Sequence, residues 1–189
     1  MTQIIDIWQT DFVQKQKSQP FLQQIFADYL KIPAAELVIE NGEFGKPFLR
    51  DFPEWHFNLS HSGEKLLLAI SYKNAVGIDI EKIKLRSSIE DVVKRCFSEI
   101  EKKYWFSLLE TERLQVFYDF WTRKEAVVKA IGRGIALGLN QCEIDVNHPN
   151  QFLNLPVNEI WHTHSVKIET HYCAAIATNF DNVNLCYQN

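Results

Sequence analysis

Two carboxylates lie two residues apart in the segment VGIDIE, an apolar run typical of a β-strand. Asp79 and Glu81 should therefore point to the same face of that strand, because successive side chains of a strand alternate. Two carboxylates on one face repel each other, and burying them unpaired costs free energy. A magnesium ion relieves both problems, since it binds carboxylate oxygens together with substrate phosphates. The alternative for so short a motif is a solvated strand edge without a ligand.

A second group of polar side chains recurs with helical spacing in the segment WTRKEAVVKAIG. Trp121, Glu125 and Lys129 are each four residues apart and form one stripe, with Lys124 beside it. Glu125 is a candidate third carboxylate for the metal or a proton acceptor, and Lys129 is a candidate phosphate ligand. The alternative is a Glu–Lys pair on a surface helix, which stabilises the helix by only about 0.2–0.5 kcal/mol.

A third polar group, in the segment FNLSHSG, lies where a predicted strand gives way to a turn. The hydroxyls of Ser60 and Ser62, the imidazole of His61 and the exposed backbone N–H groups of such a turn suit a phosphate. A Ser–His nucleophile is disfavoured because adjacent strand residues point to opposite faces. The alternative is a polar hairpin tip. Upstream, Lys46 and Pro47 in EFGKPFL combine with a glycine in a pattern that by itself is typical of a turn.

Two further motifs carry less chemistry. Gly132-Arg133-Gly134 resembles part of a nucleotide-binding fingerprint, but these glycines follow a predicted helix instead of opening one. They are better interpreted as a helix stop and a tight loop. His162 and His164 share one face of a predicted strand, but no third ligand is evident, so a zinc site is disfavoured.

The elements that must position these residues follow from periodicity and turn residues. The first part of the chain predicts a strand at 4–8, a helix over 21–30, a hairpin at 36–50, strands at 56–60 and 65–72, and a strand at 76–81. The capping box of Ser98 and Glu101 then predicts a helix, followed by a longer one over 111–131 that ends at Gly132. The segments CEIDV, VKIET and YCAAIAT predict strands. The fold class is therefore α+β.

The length and composition limit the size of the core, the cellular location and the partners that can be expected for this protein. A chain of 189 residues can bury one good core or two small ones packed together, and no apolar run approaches the ~20 residues of a spanning helix. The segment MTQIIDIWQTDF lacks the features of a signal peptide, and the four cysteines form no Cys-x-x-Cys pair, which favours reduced thiols and a cytoplasmic location. The net charge of −4 disfavours nonspecific binding to nucleic acid. No membrane partner is expected.

The order of four segments, GKPFL, FNLSHS, VGIDIE and FWTRKEAVVKAIGRGI, resembles the Sfp-type 4′-phosphopantetheinyl transferases. The resemblance implies a pseudo-dimer of two similar α+β halves with coenzyme A in the cleft between them. It divides the chain into an N-terminal half (1–74) that contacts the coenzyme and a C-terminal half (75–189) that holds the metal and docks the carrier protein. Because both halves lie in one chain, a monomer is expected.

The resemblance also implies a reaction and a role for each candidate residue. The phosphopantetheine of coenzyme A passes to a serine of an apo acyl or peptidyl carrier protein, and adenosine 3′,5′-bisphosphate leaves. The matched residues are Asp79, Glu81 and Glu125 for magnesium (or manganese), Ser60 and His61 for the coenzyme A phosphates, Lys46 with Pro47 at the adenine, and Lys129 at the pyrophosphate. Glu125 and Lys129 are the expected catalytic residues. Either Glu125 or water on the metal takes the serine proton.

One departure from the family pattern lies near the N-terminus. Sfp-type enzymes usually have a longer segment there, with several basic residues that grip the 3′-phosphate, whereas about ten residues join the first strand to the helix here. Lys15 and Lys17 are candidate substitutes. The alternative function is a non-catalytic coenzyme A or nucleotide-binding relative with a shortened N-terminus, although retention of three carboxylates and Lys129 argues against it. An unrelated interaction domain would need all four motifs in order by chance.

Overall fold

The computed structural model describes residues 2–12 and 18–188 and has the predicted α+β fold class. The strands are β1 (Gln3–Asp11), β2 (Ile39–Asn41), β3 (Pro47–Leu49), β4 (Trp55–Ser62), β5 (Lys65–Tyr72), β6 (Val76–Lys82), β7 (Glu143–Ile144), β8 (Phe152–Asn154), β9 (His162–Ser165), β10 (Tyr172–Thr178) and β11 (Val183–Gln188). The α-helices are α1 (Gln19–Leu30), α2 (Ile89–Cys96), α3 (Glu99–Ser107) and α4 (Glu110–Ile131).

Two sheets form the centre of the molecule. The larger has the strand order β11-β1-β5-β4, in which β11 is parallel to β1 and the other pairs are antiparallel. The smaller has the order β6-β10-β9 and is antiparallel throughout. One core packs apolar residues of β1 and β5 against those of β6 and β10, including Ile7, Leu67, Ile78 and Ile176. The edge strands β4 and β6 lie side by side, so the two sheets meet there.

Most elements of the first half were predicted from the sequence and are confirmed. Helix α1 has a proline near its start and buries Leu22, Ile25 and Phe26, which recur with helical spacing. Its buried side packs on the face of the larger sheet formed by Phe57, Leu66 and the neighbouring apolar residues. Because β11 joins this sheet, the last strand of the chain lies beside the first. The division into halves at residue 75, and their similarity, stay predictions.

The helical middle of the chain also follows its sequence. Ser98 and Glu101 form the predicted capping box at the start of α3, and α4 ends at Gly132, whose φ of 77° is the left-handed conformation that glycine adopts most readily. Helix α4 is buried on several sides because it packs on β6 and β10 and also contacts α2 and α3. The side that faces β6 carries Ala126 and Ala130.

The predicted strand VKIET is wrong. The strand of this region is β9, His162–Ser165, which ends just before it. Only Val166 continues the ladder, by donating its backbone N–H to the carbonyl of Ala174, and Lys167 instead donates its N–H to the hydroxyl of Tyr187. A tyrosine side chain thus satisfies the backbone where pairing stops. The alternation of Val and Ile predicted a strand here, but beyond Val166 the backbone does not pair with β10.

Helix α4 lies so close to β6 that the contact requires a glycine. A Cβ added at Gly77 would clash with the backbone carbonyl oxygen of Ala126 and the backbone nitrogen of Ala130. Both obstacles are main-chain atoms of a helix, so neither can rotate away. The absence of a side chain at Gly77 therefore allows the helix to lie directly on the strand, and this contact sets the distance between Asp79 and the residues of α4.

We expect Gly77→Ala to lower the free energy of unfolding by about 1–3 kcal/mol, the usual cost of overpacking, and more if the helix cannot shift. Gly42→Ala is the matched control, because a Cβ there would contact only the carbonyl oxygen of Lys46, at 3.5 Å. Thermal unfolding of both variants checks the expectation. Equal midpoints for the two would contradict the proposed packing requirement.

In the described part of the chain, no helix is both long enough and apolar enough to cross a membrane.

Candidate active site at the junction of the two sheets

Where β4 lies beside β6, hydrogen bonds from side chains connect the two sheets, and the two strands do not pair through their backbones. Asn58, Ser60 and Ser62 alternate along β4 and so project from one face of it. Each makes a hydrogen bond to β6: the Asn58 amide oxygen accepts from the backbone N–H of Ile78 (2.9 Å), Ser60 donates to Asp79 (2.8 Å) and Ser62 donates to Glu81 (2.9 Å). The two predicted carboxylates thus lie on the face of β6 that meets these polar groups.

Asp79 pairs with a lysine from α4. The Lys129 ammonium lies 2.6 Å from Asp79 Oδ1 and 2.9 Å from the hydroxyl oxygen of Ser60. The other oxygen, Asp79 Oδ2, is buried and has no hydrogen-bond partner among the described residues. Burial raises the pKa of Asp79, an effect that Lys129 and Ser60 oppose. A buried oxygen without a partner indicates a site that a ligand can complete.

Glu81 and Glu125 complete the predicted set of carboxylates. Glu125 lies one helical turn before Lys129 on α4, and both carboxylates line one cavity of about 400 Å³ together with Asp79 and Lys129. Burial raises the pKa of Glu125 to about 7, and the charges of Asp79 and Glu81 add to the shift. Burial also raises the pKa of Glu81, while the hydrogen bond from Ser62 opposes this. The structure therefore places all three carboxylates that were predicted from the sequence around one cavity.

The donor set fits a hard divalent cation. Three carboxylates face one cavity, their pKa values are raised by burial, and one buried oxygen of Asp79 is unpartnered. Magnesium prefers such oxygens and keeps positions for substrate phosphates and water. Within the described residues, no three His, Cys, Asp or Glu side chains already form a close cluster suited to a metal ion. The assignment of these residues as ligands stays a prediction.

A second cavity, of about 460 Å³, adjoins the first and extends toward the loop before β3. Lys46, Pro47, His61, Glu125 and Lys129 line it, so the residues predicted for the coenzyme and those predicted for the chemistry share one continuous site. The other lining residues are Ser18, Phe44, Gly45, Asn58, Leu59, Val128, Gly132 and Gly134. Its volume is in the usual range of small-molecule sites.

The ammonium of Lys46 has partners within the protein. It donates to the backbone carbonyls of Val76 (3.1 Å) and Ala130 (2.8 Å), which belong to the start of β6 and the end of α4. Burial lowers the pKa of Lys46 to about 8. Its position near the last carbonyls of α4 is favourable for a cation. Lys46 therefore fastens the loop before β3 to both elements that carry the carboxylates, and its predicted contact with the adenine stays a prediction.

His61 lies at the boundary of the two cavities. Its imidazole stacks on the ring of Phe12, with 4.5 Å between centroids, and its side chain is exposed. Phe12 itself is held by a backbone hydrogen bond to Glu64 (2.8 Å). The predicted phosphate contacts of Ser60 and His61 stay predictions. The candidate substitutes Lys15 and Lys17 lie outside the described residues.

Of the two motifs interpreted as carrying less chemistry, the glycines line one end of the second cavity, and the histidines of β9 line neither cavity. Gly132 ends α4 and Gly134 follows in a short 3₁₀ turn, as predicted for a helix stop and tight loop. His162 and His164 share a face of β9, and they belong to no cluster of three potential metal ligands among the described residues. Burial lowers the pKa of His164.

Comparison with known proteins identifies the family. The model of the 4′-phosphopantetheinyl transferase superfamily matches residues 75–177, more than half of the chain and all but the last residue of the segment from β6 to β10. The chain belongs to this superfamily. The matched segment contains Asp79, Glu81, Glu125 and Lys129.

Three curated relatives illustrate the similarity. An L-aminoadipate-semialdehyde dehydrogenase-phosphopantetheinyl transferase of Xenopus laevis is 34% identical over 67% of this chain and 45% of its own length. A 4′-phosphopantetheinyl transferase of Aneurinibacillus migulanus is 40% identical over 62% of this chain and 48% of its own, and one of Nostoc is 33% identical over 82% and 66%. The chain therefore spans about half to two thirds of the length of these relatives. A solved holo-(acyl-carrier-protein) synthase from Bacillus anthracis has a TM-score of 0.47 at 17% identity and covers 55% of this chain and 93% of its own.

Several residues that shape the site of this superfamily member were not predicted. Sequence reasoning selected Ser60 and His61 but gave no role to Asn58, and it did not foresee that Ser62 would bond a carboxylate. The alternation of polar residues in N-x-S-x-S was a usable signal, because a period of two places all three on one strand face. Phe12 and Gly77 had no such signal, since their roles depend on partners distant in the sequence.

Proposed function

We propose that this protein transfers 4′-phosphopantetheine from coenzyme A to a serine hydroxyl of an apo acyl or peptidyl carrier protein. The observation that carries the proposal is the pairing of Lys129 with Asp79 beside Glu81 and Glu125, in a cavity that continues to Lys46 and Pro47. The site is polar at one end, where a pyrophosphate would react, and lined by Phe44, Pro47 and glycines at the other. Asp79, Glu81, Glu125 and Lys129 lie in the segment that the superfamily model matches, whereas Lys46 and Pro47 precede it.

The reaction forms one P–O bond and breaks another. The carrier serine oxygen attacks the phosphorus that carries the pantetheine, the bond to the bridging pyrophosphate oxygen breaks, and adenosine 3′,5′-bisphosphate leaves. Lys129 stabilises the charge that develops on the leaving phosphate, because its ammonium already lies in the cavity among the carboxylates. The serine proton passes to Glu125 or to water in the cavity.

A magnesium or manganese ion belongs to this proposal, with Asp79, Glu81 and Glu125 as its protein ligands. When bound, such an ion supplies positive charge that neutralises the carboxylates and the phosphate oxygens. Asp79 would offer its unpartnered oxygen, while Ser60 and Lys129 keep the other oxygen in place. Ser62 restrains Glu81 in the same way.

Intact mass spectrometry tests the proposed transfer. The protein is incubated with coenzyme A, magnesium and a panel of apo carriers from fatty-acid, polyketide, peptide-synthetase and lysine-pathway systems. A mass gain of one phosphopantetheine on the active serine supports the proposal. The alternative is a non-catalytic coenzyme A-binding protein. Coenzyme A binding without any mass gain across the panel would favour that alternative.

We expect His61→Ala to raise the KM for coenzyme A with little change in kcat. His61 belongs to the sheet that lacks the carboxylates, and loss of uniform binding changes KM alone. The rise should be roughly tenfold, as for one hydrogen bond to a charged group. Steady-state kinetics with coenzyme A as the varied substrate provide the measurement. A collapse of kcat at unchanged KM would place His61 in the chemical step instead.

Carrier docking is proposed for the basic segment that spans residues 82–103 of the C-terminal half. Its basic residues are Lys82, Lys84, Arg86, Lys94, Arg95, Lys102 and Lys103. Carrier proteins are typically acidic around the modified serine, so complementary charge should speed their encounter. Two of these lysines already form intrahelical ion pairs, Lys94 with Glu90 (2.6 Å) and Lys102 with Glu99 (2.9 Å). These pairs reduce the net charge of the surface but leave it positive.

Reversing the charges of Lys94 and Arg95 should raise the KM for the carrier and weaken its dependence on salt. The physical reason is that screened, exposed charges steer association over about one Debye length, ~8–10 Å at physiological salt. Kinetics with the carrier as the varied substrate at two ionic strengths measure both effects. If neither the reversal nor added salt changes the carrier KM, the segment is an ordinary mixed-charge surface.

Three further properties belong to the proposal. We propose a monomer, since one chain holds both sheets whose junction forms the site. A sedimentation mass of an obligate trimer would contradict this. A cytoplasmic location follows from reduced cysteines and from carrier substrates that are made there. Coenzyme A and a carrier protein are the only partners that the proposal requires.

A further inference from the structure

The hydroxyl of Ser62 contacts β6 twice at the end of β4. It donates to Glu81 Oε2 (2.9 Å) and accepts from the backbone N–H of Lys82 (3.0 Å). The backbone N–H fixes the position of the hydroxyl oxygen, and the oxygen in turn directs its single proton to the carboxylate. Ser62 therefore holds one oxygen of Glu81 from a strand that belongs to the other sheet.

This contact is not explained by the hairpin in which Ser62 lies. The hairpin closes at Gly63, which has a φ of 58°, and Ser62 pairs with Lys65 through the backbone. A serine that served the turn alone would bond its own backbone a few residues away. The side chain of Ser62 instead reaches a residue 19 positions later in the chain. The bond therefore serves the junction of the sheets.

Glu81 needs such a restraint more than Asp79 does. Asp79 has a short side chain that Ser60 and Lys129 both hold, whereas Glu81 has one more rotatable bond and is only half-buried. Arg86 affects Glu81 through its charge, but no ion pair joins the two among the described residues. Fixing Oε2 leaves Oε1 as the oxygen that can bind a ligand in the cavity. Without Ser62, Glu81 would have to be ordered at the moment of binding.

We propose that Ser62 is a positioning residue that orients Glu81 as a ligand of a divalent cation. This inference rests on the proposed function, because it presupposes the metal site of that function. Groups that hydrogen-bond metal ligands fix their orientation, and their loss typically weakens metal binding about 10–100-fold. Ser62 reaches no reacting atom in this role; it acts through Glu81.

The junction offers a matched control. Asn58 lies on the same face of β4 and accepts a hydrogen bond from the backbone N–H of Ile78, but it contacts no carboxylate. Removal of its side chain should weaken the junction of the sheets and leave Glu81 in place. The pair Ser62→Thr and Ser62→Val adds a second control, since the two side chains have similar shapes and only threonine keeps the hydroxyl.

The experiment measures the affinity of the protein for Mn²⁺, followed by the electron paramagnetic resonance signal of the free ion, with and without coenzyme A. Thermal unfolding and coenzyme A binding in EDTA are recorded for every variant. We expect Ser62→Ala and Ser62→Val to bind Mn²⁺ about 10–100-fold more weakly than the wild type, and Ser62→Thr to bind it nearly as well. Because Asn58 lines the second cavity, Asn58→Ala is compared without coenzyme A, where its Mn²⁺ affinity should stay near that of the wild type. Coenzyme A affinity in EDTA should be unchanged by the Ser62 substitutions.

Two results would overturn the inference while leaving the proposed function intact. One is wild-type Mn²⁺ affinity in Ser62→Ala and Ser62→Val. The other is an equal loss of Mn²⁺ affinity in Asn58→Ala, which would mean that the junction of the sheets as a whole, and not Ser62, positions the Glu81 carboxylate. A wild-type protein that bound no Mn²⁺ even with coenzyme A would remove the proposed metal site, and the role of Ser62 with it. If Ser62→Val failed to fold, the comparison of Ser62→Ala with Ser62→Thr would still decide the question.

Discussion

Replacement of Asp79 by alanine should reduce turnover by a factor on the order of 10²–10³, the usual loss when one group that stabilises the transition state is removed. Asp79 is the residue on which the site converges: it accepts hydrogen bonds from Ser60 and Lys129, and its second oxygen is free for a ligand. The substitution removes the oxygen proposed to hold the divalent cation and also releases Lys129 from its partner. In the proposed mechanism, both losses weaken the stabilisation of the leaving phosphate, where negative charge develops.

The measurement is single-turnover transfer to an apo carrier, compared with Asp181→Ala, which removes an exposed carboxylate elsewhere in the protein. The control should retain wild-type turnover. Coenzyme A should still bind to the Asp79 variant through the second cavity, so calorimetry separates lost chemistry from lost folding. In the wild type, EDTA should abolish transfer, and added magnesium or manganese should restore it. Full activity in EDTA, or in the Asp79→Ala protein, would exclude the metal from the mechanism.

The strand and the helix that carry the candidate site could be predicted because each is indicated by the spacing of residues within one short segment. The alternation of VGIDIE places Asp79 and Glu81 on one strand face, and the spacing of Glu125 and Lys129 places both on one helix face. The structure confirms strand β6 and helix α4 and brings the two faces together. The pairing of Lys129 with Asp79 could not be read from spacing, because 50 residues separate them.

The remaining features depend on tertiary contacts that leave little trace in a single sequence. Gly77 appeared to be one small residue within a strand, yet the backbone of α4 leaves no room there for a side chain. The strand predicted at VKIET was wrong because the hydroxyl of Tyr187 takes up a backbone N–H that a neighbouring strand would otherwise pair. The sequence placed Lys124 beside the stripe of Trp121, Glu125 and Lys129 and predicted no role for it. The structure places it at the centre of a buried polar network.

Lys124 and Glu101 form an ion pair that is completely buried. Their charged atoms are 2.8 Å apart, and neither side chain has any exposed surface. The ammonium also donates to the backbone carbonyls of Leu139 and Cys142, and the carboxylate accepts from the backbone N–H groups of Ser98 and Ile144 (both 2.7 Å). Burial lowers the pKa of Lys124, an effect that the charge of Glu101 opposes. Both charges are thus paired and hydrogen-bonded, which makes their burial tolerable.

The network connects three parts of the chain. Glu101 belongs to the capping box of α3, Lys124 to the middle of α4, and the carbonyl partners to the loop that follows α4. Lys124 directly precedes Glu125, so the pair fixes the rotation of α4 where that helix presents its carboxylate to the cavity. Any change that removes only one partner leaves an uncompensated charge inside the protein.

We therefore expect Lys124→Met to lower the free energy of unfolding by about 3–5 kcal/mol, because it leaves the Glu101 carboxylate buried without its positively charged partner. For a chain of this size the midpoint of thermal unfolding should fall by about 10 °C. Lys103→Met is the control, since Lys103 is an exposed lysine on α3, and its midpoint should stay near that of the wild type. The double variant Glu101→Leu with Lys124→Met should recover much of the loss, because replacing both members of a buried pair by apolar residues avoids the stranded charge. Additive losses in the double variant, or a Lys124→Met midpoint equal to that of the control, would contradict the coupling of the two charges.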